Sequence, residues 1–134
     1  MSKSLSTFLI TMLCAVTSFG QALEGKFINY QVEDGLTSRQ INVVTEDASG
    51  FIWVGTQEGL NRFDGVEFRQ YLKDDGDSAI VGNFISALHP LADGRLIVGT
   101  YRNGACIYDP LTEHFTDLTA TASDGIEYRS CFDI

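Results

Sequence analysis

The chain has 134 residues, 44% of them hydrophobic and 20% charged, with a formal net charge of −9. That length holds at most one ordinary domain, and the apolar content excludes a disordered chain. The acidity argues against a nucleic-acid or anionic-membrane surface, both of which need clustered Lys and Arg.

The N-terminal residues predict an export leader. Lys3 supplies positive charge, residues 8–16 form an apolar core, and Gly20 and Ala22 stand at the small positions before cleavage. Cleavage is placed after Ala22. The apolar run is shorter than the ~20 residues of a membrane span, and the alternative is a buried N-terminal helix. Cys14 follows Leu13, where a lipoprotein leader carries a small residue, so no lipidation is expected. Removing residues 1–22, with one Lys and no acid, leaves 112 residues at a net charge of −10. Residues 23–134 are therefore expected in an exported, periplasmic setting. That compartment permits a bridge between Cys106 and Cys131, but the repeat described next puts them on strands of successive units. Two small buried hydrophobes is the simpler reading.

Over the whole chain, thirteen glycines, two prolines and fifteen aromatics favour short strands and tight turns over helices. Residues 27–30 form a first apolar run, followed by the Asp34-Gly35 pair. Four short runs rich in β-branched and aromatic residues come next, at 41–44, 51–54, 60–63 and 67–71. Residues 47–50, 55–59 and Asp64-Gly65 separate them. The Asp64-Gly65 step suits a type I′ hairpin, whose two central residues need positive φ. No segment sustains helical spacing.

The same unit then recurs. Gly50, Val54, Gly55 and Thr56 return as Gly94, Val98, Gly99 and Thr100, each 44 positions on. After one inserted residue, Gly59, Leu60, Phe63 and Asp64 match Gly104, Ala105, Tyr108 and Asp109. Phe27 and Tyr30 recur as Phe68 and Tyr71, and loosely as Phe115 and Leu118, while Asp-Gly pairs stand at 34–35, 75–76 and 124–125. A period of 40–50 residues fits propellers or helical solenoids, and four short strands per unit choose the propeller. The expected architecture is all-β: an incomplete propeller of about two four-stranded antiparallel blades. Its parts are an outer closing strand at 26–32, blade one at 39–72, blade two at 83–119, and the start of a third at 126–134. The run at Ile41 is expected innermost and the run at Phe68 outermost. Trp53 is expected to fill the gap between blades, and Ile97 at the matching position makes a smaller contact.

Residues 46–65, carrying Asp47, Gly50, Trp53, Gly55, Thr56, Gly59, Leu60, Phe63, Asp64 and Gly65, resemble the two-component regulator propeller repeat. So does the lead-in from Tyr30 to Ser38. The second unit is a degraded copy without the Trp and the Gly-Leu pair. The resemblance implies the periplasmic sensor region of a hybrid histidine kinase, or of a related receptor ending in another output such as a diguanylate cyclase. Receptors of that kind carry many blades, a membrane helix and a cytoplasmic output. The chain is accordingly expected to be the leading piece of a longer receptor. Its expected partners are an extracellular small-molecule or oligosaccharide ligand and the remaining blades or a homodimer partner, with no nucleic acid.

Chemistry-bearing patterns are few. His89 and His114 stand 25 positions apart in different segments, and no Cys/His spacing suggests a metal site. Residues 73–77 lack the alternating acids of a calcium loop. Asp47-x-x-Gly50-x-x-Trp53 resembles the Asp-box of sialidase propellers, itself a turn element, and acids such as Asp47 and Asp93 before Gly ordinarily bond their own backbone. Ser38, Ser86 and Ser130 have no nucleophile-elbow setting, and there is no glycine-rich phosphate loop. No catalytic residue, cofactor or metal is expected. Gln57, Glu58, Tyr101 and Arg102, just past the second strand of each unit, are the candidate ligand-facing residues. The alternatives are a fragment of a propeller lyase or glycosidase, whose acids converge at the channel mouth, and a structural interaction module.

Overall fold

The computed structural model describes residues 25–118. The leader and its Ala22 cleavage point, Cys14, Cys131 and the expected start of a third blade lie outside the described residues.

Eight strands follow one another: β1 (Ile41–Glu46), β2 (Ile52–Thr56), β3 (Leu60–Phe63), β4 (Phe68–Tyr71), β5 (Ile85–Pro90), β6 (Leu96–Thr100), β7 (Gly104–Asp109) and β8 (His114–Asp117). Each pairs antiparallel with its sequence neighbour, which gives one sheet in the order β1-β2-β3-β4 and a second in the order β5-β6-β7-β8. The two sheets are not closed into a ring. The only helical elements among the described residues are two single 3₁₀ turns, Val32–Asp34 and Gly76–Ser78.

The repeat seen in the sequence is also a repeat of register. Ile41 pairs with Thr56 and Ile85 with Thr100, and each inner pair shifts by one residue directly afterwards, between Ile41 and Val43 and between Ile85 and Ala87. Gly-Thr ends the second strand of each unit for a local reason. The Thr56 hydroxyl donates to the Gly59 carbonyl at 3.0 Å, and Thr100 does the same to Gly104 at 2.8 Å, closing the next turn.

Strand alternation sorts each sheet into two faces. Trp53, Gly55, Leu60 and Tyr71 look one way from the first sheet. Leu96, Val98, Cys106 and Tyr108 look back at them from the second. Ile80 and Ile85 complete this core. Trp53 is fully buried, stacked on Tyr71 at 5.7 Å and edge-on to Tyr108 of the second sheet at 4.9 Å. It therefore fills the space between the blades, as expected.

The closest approach is at Gly55. A Cβ there would lie 2.5 Å from Ile85 Cγ2 and 2.7 Å from Val43 Cγ1. Only glycine lets the second inner strand come this near. Asn42 Nδ2 donates to the Ile85 carbonyl at 2.8 Å and ties the two inner strands together.

Two expectations need correction. Asp64-Gly65 is not a type I′ turn: Gly65 has φ 100, but Asp64 is not among the positive-φ residues. The Asp64 amide bonds the Glu67 carbonyl across Gly65 and Val66, and its carboxylate accepts from the Val66 and Glu67 amides, both at 2.8 Å, so the side chain caps the turn. Residues 26–32 form no strand, since residues 25–31 are irregular and Val32 begins a 3₁₀ turn. A strand needs a hydrogen-bonding neighbour, and none pairs with this segment among the described residues. Its packing is nonetheless that of an outer strand. Tyr30 meets Phe63 and Phe68 at 4.9 and 5.4 Å, and Tyr71 meets Tyr108 and Phe115 at 6.1 and 5.2 Å, with the equivalent rings of the second sheet.

Gly55→Ala is expected to lower stability by about 1–3 kcal/mol, the usual cost of overpacking a close contact. Urea unfolding of the parent and variant checks this, and an unchanged midpoint would contradict the contact.

Candidate functional site

The turn acids are held by their own loops. Asp47 Oδ1 accepts from the Ser49 and Phe51 amides, Asp75 Oδ2 from Leu72, Asp93 Oδ1 from Arg95 and Asp109 Oδ1 from Leu111. The Glu67 and Val66 amides hold the Asp64 carboxyl below the usual range, and the Arg95 guanidinium and amide do so for Asp93. Asp47 does one thing more. Its Oδ2 accepts from Trp53 Nε1 at 2.7 Å, which fixes the ring that fills the inter-blade space.

Outward from Trp53 lies an electrostatic clamp between the sheets. Arg62 lies over the Phe51 and Trp53 rings, with Cζ 4.7 and 5.7 Å from their centroids. Its Nη1 donates to the Tyr108 hydroxyl at 2.7 Å. Glu113, in the β7–β8 turn, bridges Arg69 at 3.1 Å and Arg62 at 3.5 Å. Its backbone has φ 57, in the left-handed region that non-glycine residues seldom occupy. A cleft of about 280 Å³ beside the clamp is lined by Phe51, Arg62, Asp64, Glu67 and Arg69. Beneath it, burial pushes the Tyr71 phenol above its usual range.

The loops beyond the second strands open at one end of the sheets. The Gln57 amide donates to the Gln40 carbonyl and the Tyr101 amide to the Phe84 carbonyl, which places both loops beside the entrances of the inner strands. Gln57, Glu58, Tyr101 and Arg102 are all exposed. Phe84 packs against Tyr101 at 5.3 Å, and Arg102, at φ 68, carries its guanidinium 4.9 Å from the Tyr101 ring. The guanidinium lies over the ring face, so Phe84, Tyr101 and Arg102 form one stack beside the turn.

The remaining sequence candidates are scattered. Gly50, Gly59, Gly65, Gly94 and Gly104 take positive φ in turns. His89 is exposed on β5, and His114 Nδ1 meets the Asp77 carbonyl at 3.0 Å. Ser38 Oγ accepts from the Gln40 amide and Ser86 Oγ donates to the Gly99 carbonyl. Cys106 is buried as a free thiol, and burial pushes it up to about 11. Among the described residues no group of three or more His, Cys, Asp or Glu side chains is placed to hold a metal, and no helix is long and apolar enough to cross a membrane.

Sequence reasoning missed Asn61. It is fully buried in β3, its Oδ1 accepting from the Thr37 amide and its Nδ2 donating to Thr37 Oγ1 and the Val54 carbonyl. A lone amide inside an apolar run was the available signal. Sequence reasoning also missed the clamp, whose members stand 44 to 51 positions apart and leave no local pattern.

The Glu113 carboxyl is held below the usual glutamate range, first by the hydrogen bond from Arg69. A depressed folded-state value means stability that is present above the unfolded value of ~4.3 and is lost as pH falls through the folded one. Glu113→Gln is therefore expected to flatten the fall in urea midpoint between about pH 5 and 3. Equal slopes for parent and variant would contradict the clamp.

Residues 35–58, the lead-in with β1 and β2, match the two-component regulator propeller family. Over 55 residues the chain is 38% identical to "Histidine kinase P4" of Formosa agariphila, a stretch that covers 41% of this chain and 4% of the kinase. Among solved structures it is similar to the extracellular domain of a hybrid two-component system from B. thetaiotaomicron. That match has a TM-score of 0.62 at 30% identity, over 67% of this chain and 13% of that one. The chain thus spans a small part of the length of each relative. Repeated four-stranded sheets, a matched repeat and both similarities agree: residues 35–58 carry a two-component regulator propeller repeat, and the chain folds like part of the extracellular domain of a hybrid two-component system.

Proposed function

We propose that this chain is a sensory segment of an exported two-component receptor, and that its loop face takes a hydroxyl-rich small molecule or oligosaccharide. The observation that carries the reading is the Phe84–Tyr101–Arg102 stack, whose Tyr101 and Arg102 are exposed beside the inner-strand entrances. The rest of each sheet is spent on turns and packing. A histidine kinase relative and an extracellular structural neighbour support a receptor and a periplasmic setting. In this reading the chain itself is not an enzyme and needs no cofactor. Ligand binding biases blade packing, and further blades or a partner copy carry that bias to an output elsewhere. The acids of the described turns support this over hydrolysis, because they bond their own loops instead of converging.

Isothermal titration of the full chain against a panel of neutral and acidic oligosaccharides tests it. At least one member is expected to bind, and Tyr101→Ala to weaken that binding about tenfold, the worth of one lost stacking contact. Absence of binding across the panel, or binding indifferent to Tyr101→Ala, would contradict the proposal.

A further inference from the structure

The clamp between the sheets is built as a carboxylate receptor. Arg62 and Arg69 are register partners on β3 and β4, so their side chains leave the same face of the first sheet side by side. Like charges placed directly opposite each other destabilise a sheet unless an anion lies between them. Glu113 of the second sheet supplies that anion with one oxygen for each guanidinium, Oε2 at 3.1 Å from Arg69 and Oε1 at 3.5 Å from Arg62. Arg62 does not depend on Glu113 for its place, because the Tyr108 hydroxyl and the Phe51 and Trp53 rings also hold it.

Glu113 is a loose fit for that receptor. Its contact with Arg62 is at the long end of hydrogen-bonding distance, its side chain is 49% exposed, and its backbone sits in the left-handed region. Space remains beside it. The cleft of about 280 Å³ opens on both guanidiniums with the Phe51 ring as an apolar wall, and Glu113 is outside its lining. Its other lining residues are acids, Asp64 and Glu67. Asp64 is engaged by its own turn, whereas the Glu67 carboxylate enters no ion pair among the described residues. Such a lining matches a zwitterion: a plain anion would meet the acids, and a plain cation the arginines. The volume is below the ~300–1,000 Å³ of drug-sized pockets, so the occupant is small.

We propose that this cleft is a second ligand site and takes a free α-amino acid, whose carboxylate displaces Glu113 from Arg62 and Arg69 while its ammonium group lies toward Glu67 and Asp64. Paired guanidiniums orient a carboxylate through charge-assisted bonds, and the Phe51 wall accepts an aliphatic side chain. Glu113 is then a tethered competitor that keeps the site closed until ligand arrives. Exchanging one carboxylate for another leaves the arginines paired but removes the ion pairs between the two sheets, so binding loosens the seam at its outer edge. The site shares no residue with the Tyr101 loop and is independent of the oligosaccharide reading, which its own titration tests.

Isothermal titration of the full chain with L-leucine tests the site, with N-acetyl-L-leucine as the carboxylate-only arm and L-leucinamide as the ammonium-only arm. L-leucine is expected to bind the parent, and to bind Glu113→Gln at least about tenfold more tightly. That gain is what removing a competitor that fills the site about nine-tenths of the time provides. Adding Arg69→Ala to the Glu113→Gln chain is expected to abolish the binding, with Trp53 emission reporting that the seam is still folded. Where that emission is lost, Glu67→Gln, an exposed change outside the clamp, is expected to weaken L-leucine about two- to fivefold. Absence of L-leucine binding to Glu113→Gln, or equal affinity in parent and Glu113→Gln, would overturn the proposal. So would either analogue binding as tightly as L-leucine.

Discussion

The contact of Ile85 on Gly55 sets the spacing on which everything else in this chain depends. A four-stranded sheet with strands of four to six residues has two faces and too little core to stand alone. It becomes stable by laying one face on a neighbour. The missing side chain at Gly55 brings the inner strands within packing distance, and the sheets splay outward from there. The wedge that opens is filled by Trp53, Tyr71 and Tyr108, with Phe115 outside them. Large rings suit that wedge because they bury the most area for the fewest torsions.

Around this seam the polar groups have structural work. Asp47 fixes the Trp53 indole, Arg62 covers its outer edge, and Glu113 joins Arg62 and Arg69 across the two sheets. An exposed pair contributes little alone, but one carboxylate held by two guanidiniums against aromatic rings also restricts how the sheets rock. The clamp and the Phe84–Tyr101–Arg102 stack therefore stand at opposite ends of the strands on either side of that seam.

Much of the architecture was legible because its steric demands recur. Gly55 and Gly99 stand where the inner strand turns close, and Thr56 and Thr100 close the next turn with the same hydroxyl bond. Requirements of that kind leave the same letters at the same spacing. Trp53 was legible for a related reason, since one large ring in a short strand has to be buried. Other features rest on partners far apart in the chain. Nothing near Glu113 announces Arg62, and nothing near Asn61 announces Thr37. The turn at Asp64 was misread because two local solutions compete for an Asp-Gly pair, and the carboxylate bond to two amides won over positive φ at Asp64. Residues 26–32 were read by their pattern as a strand. Tyr30 packs on Phe63 and Phe68, while strand geometry waits on a neighbour to pair with.

The central claim is that the seam makes the two sheets one cooperative unit. Native-state hydrogen exchange under increasing denaturant measures this directly, residue by residue. The slowest amides of β2 and β6 are expected to converge on a single opening free energy and to open together. If the β1–β4 amides exchange through an opening well below that of β5–β8, the sheets are independent and the account fails.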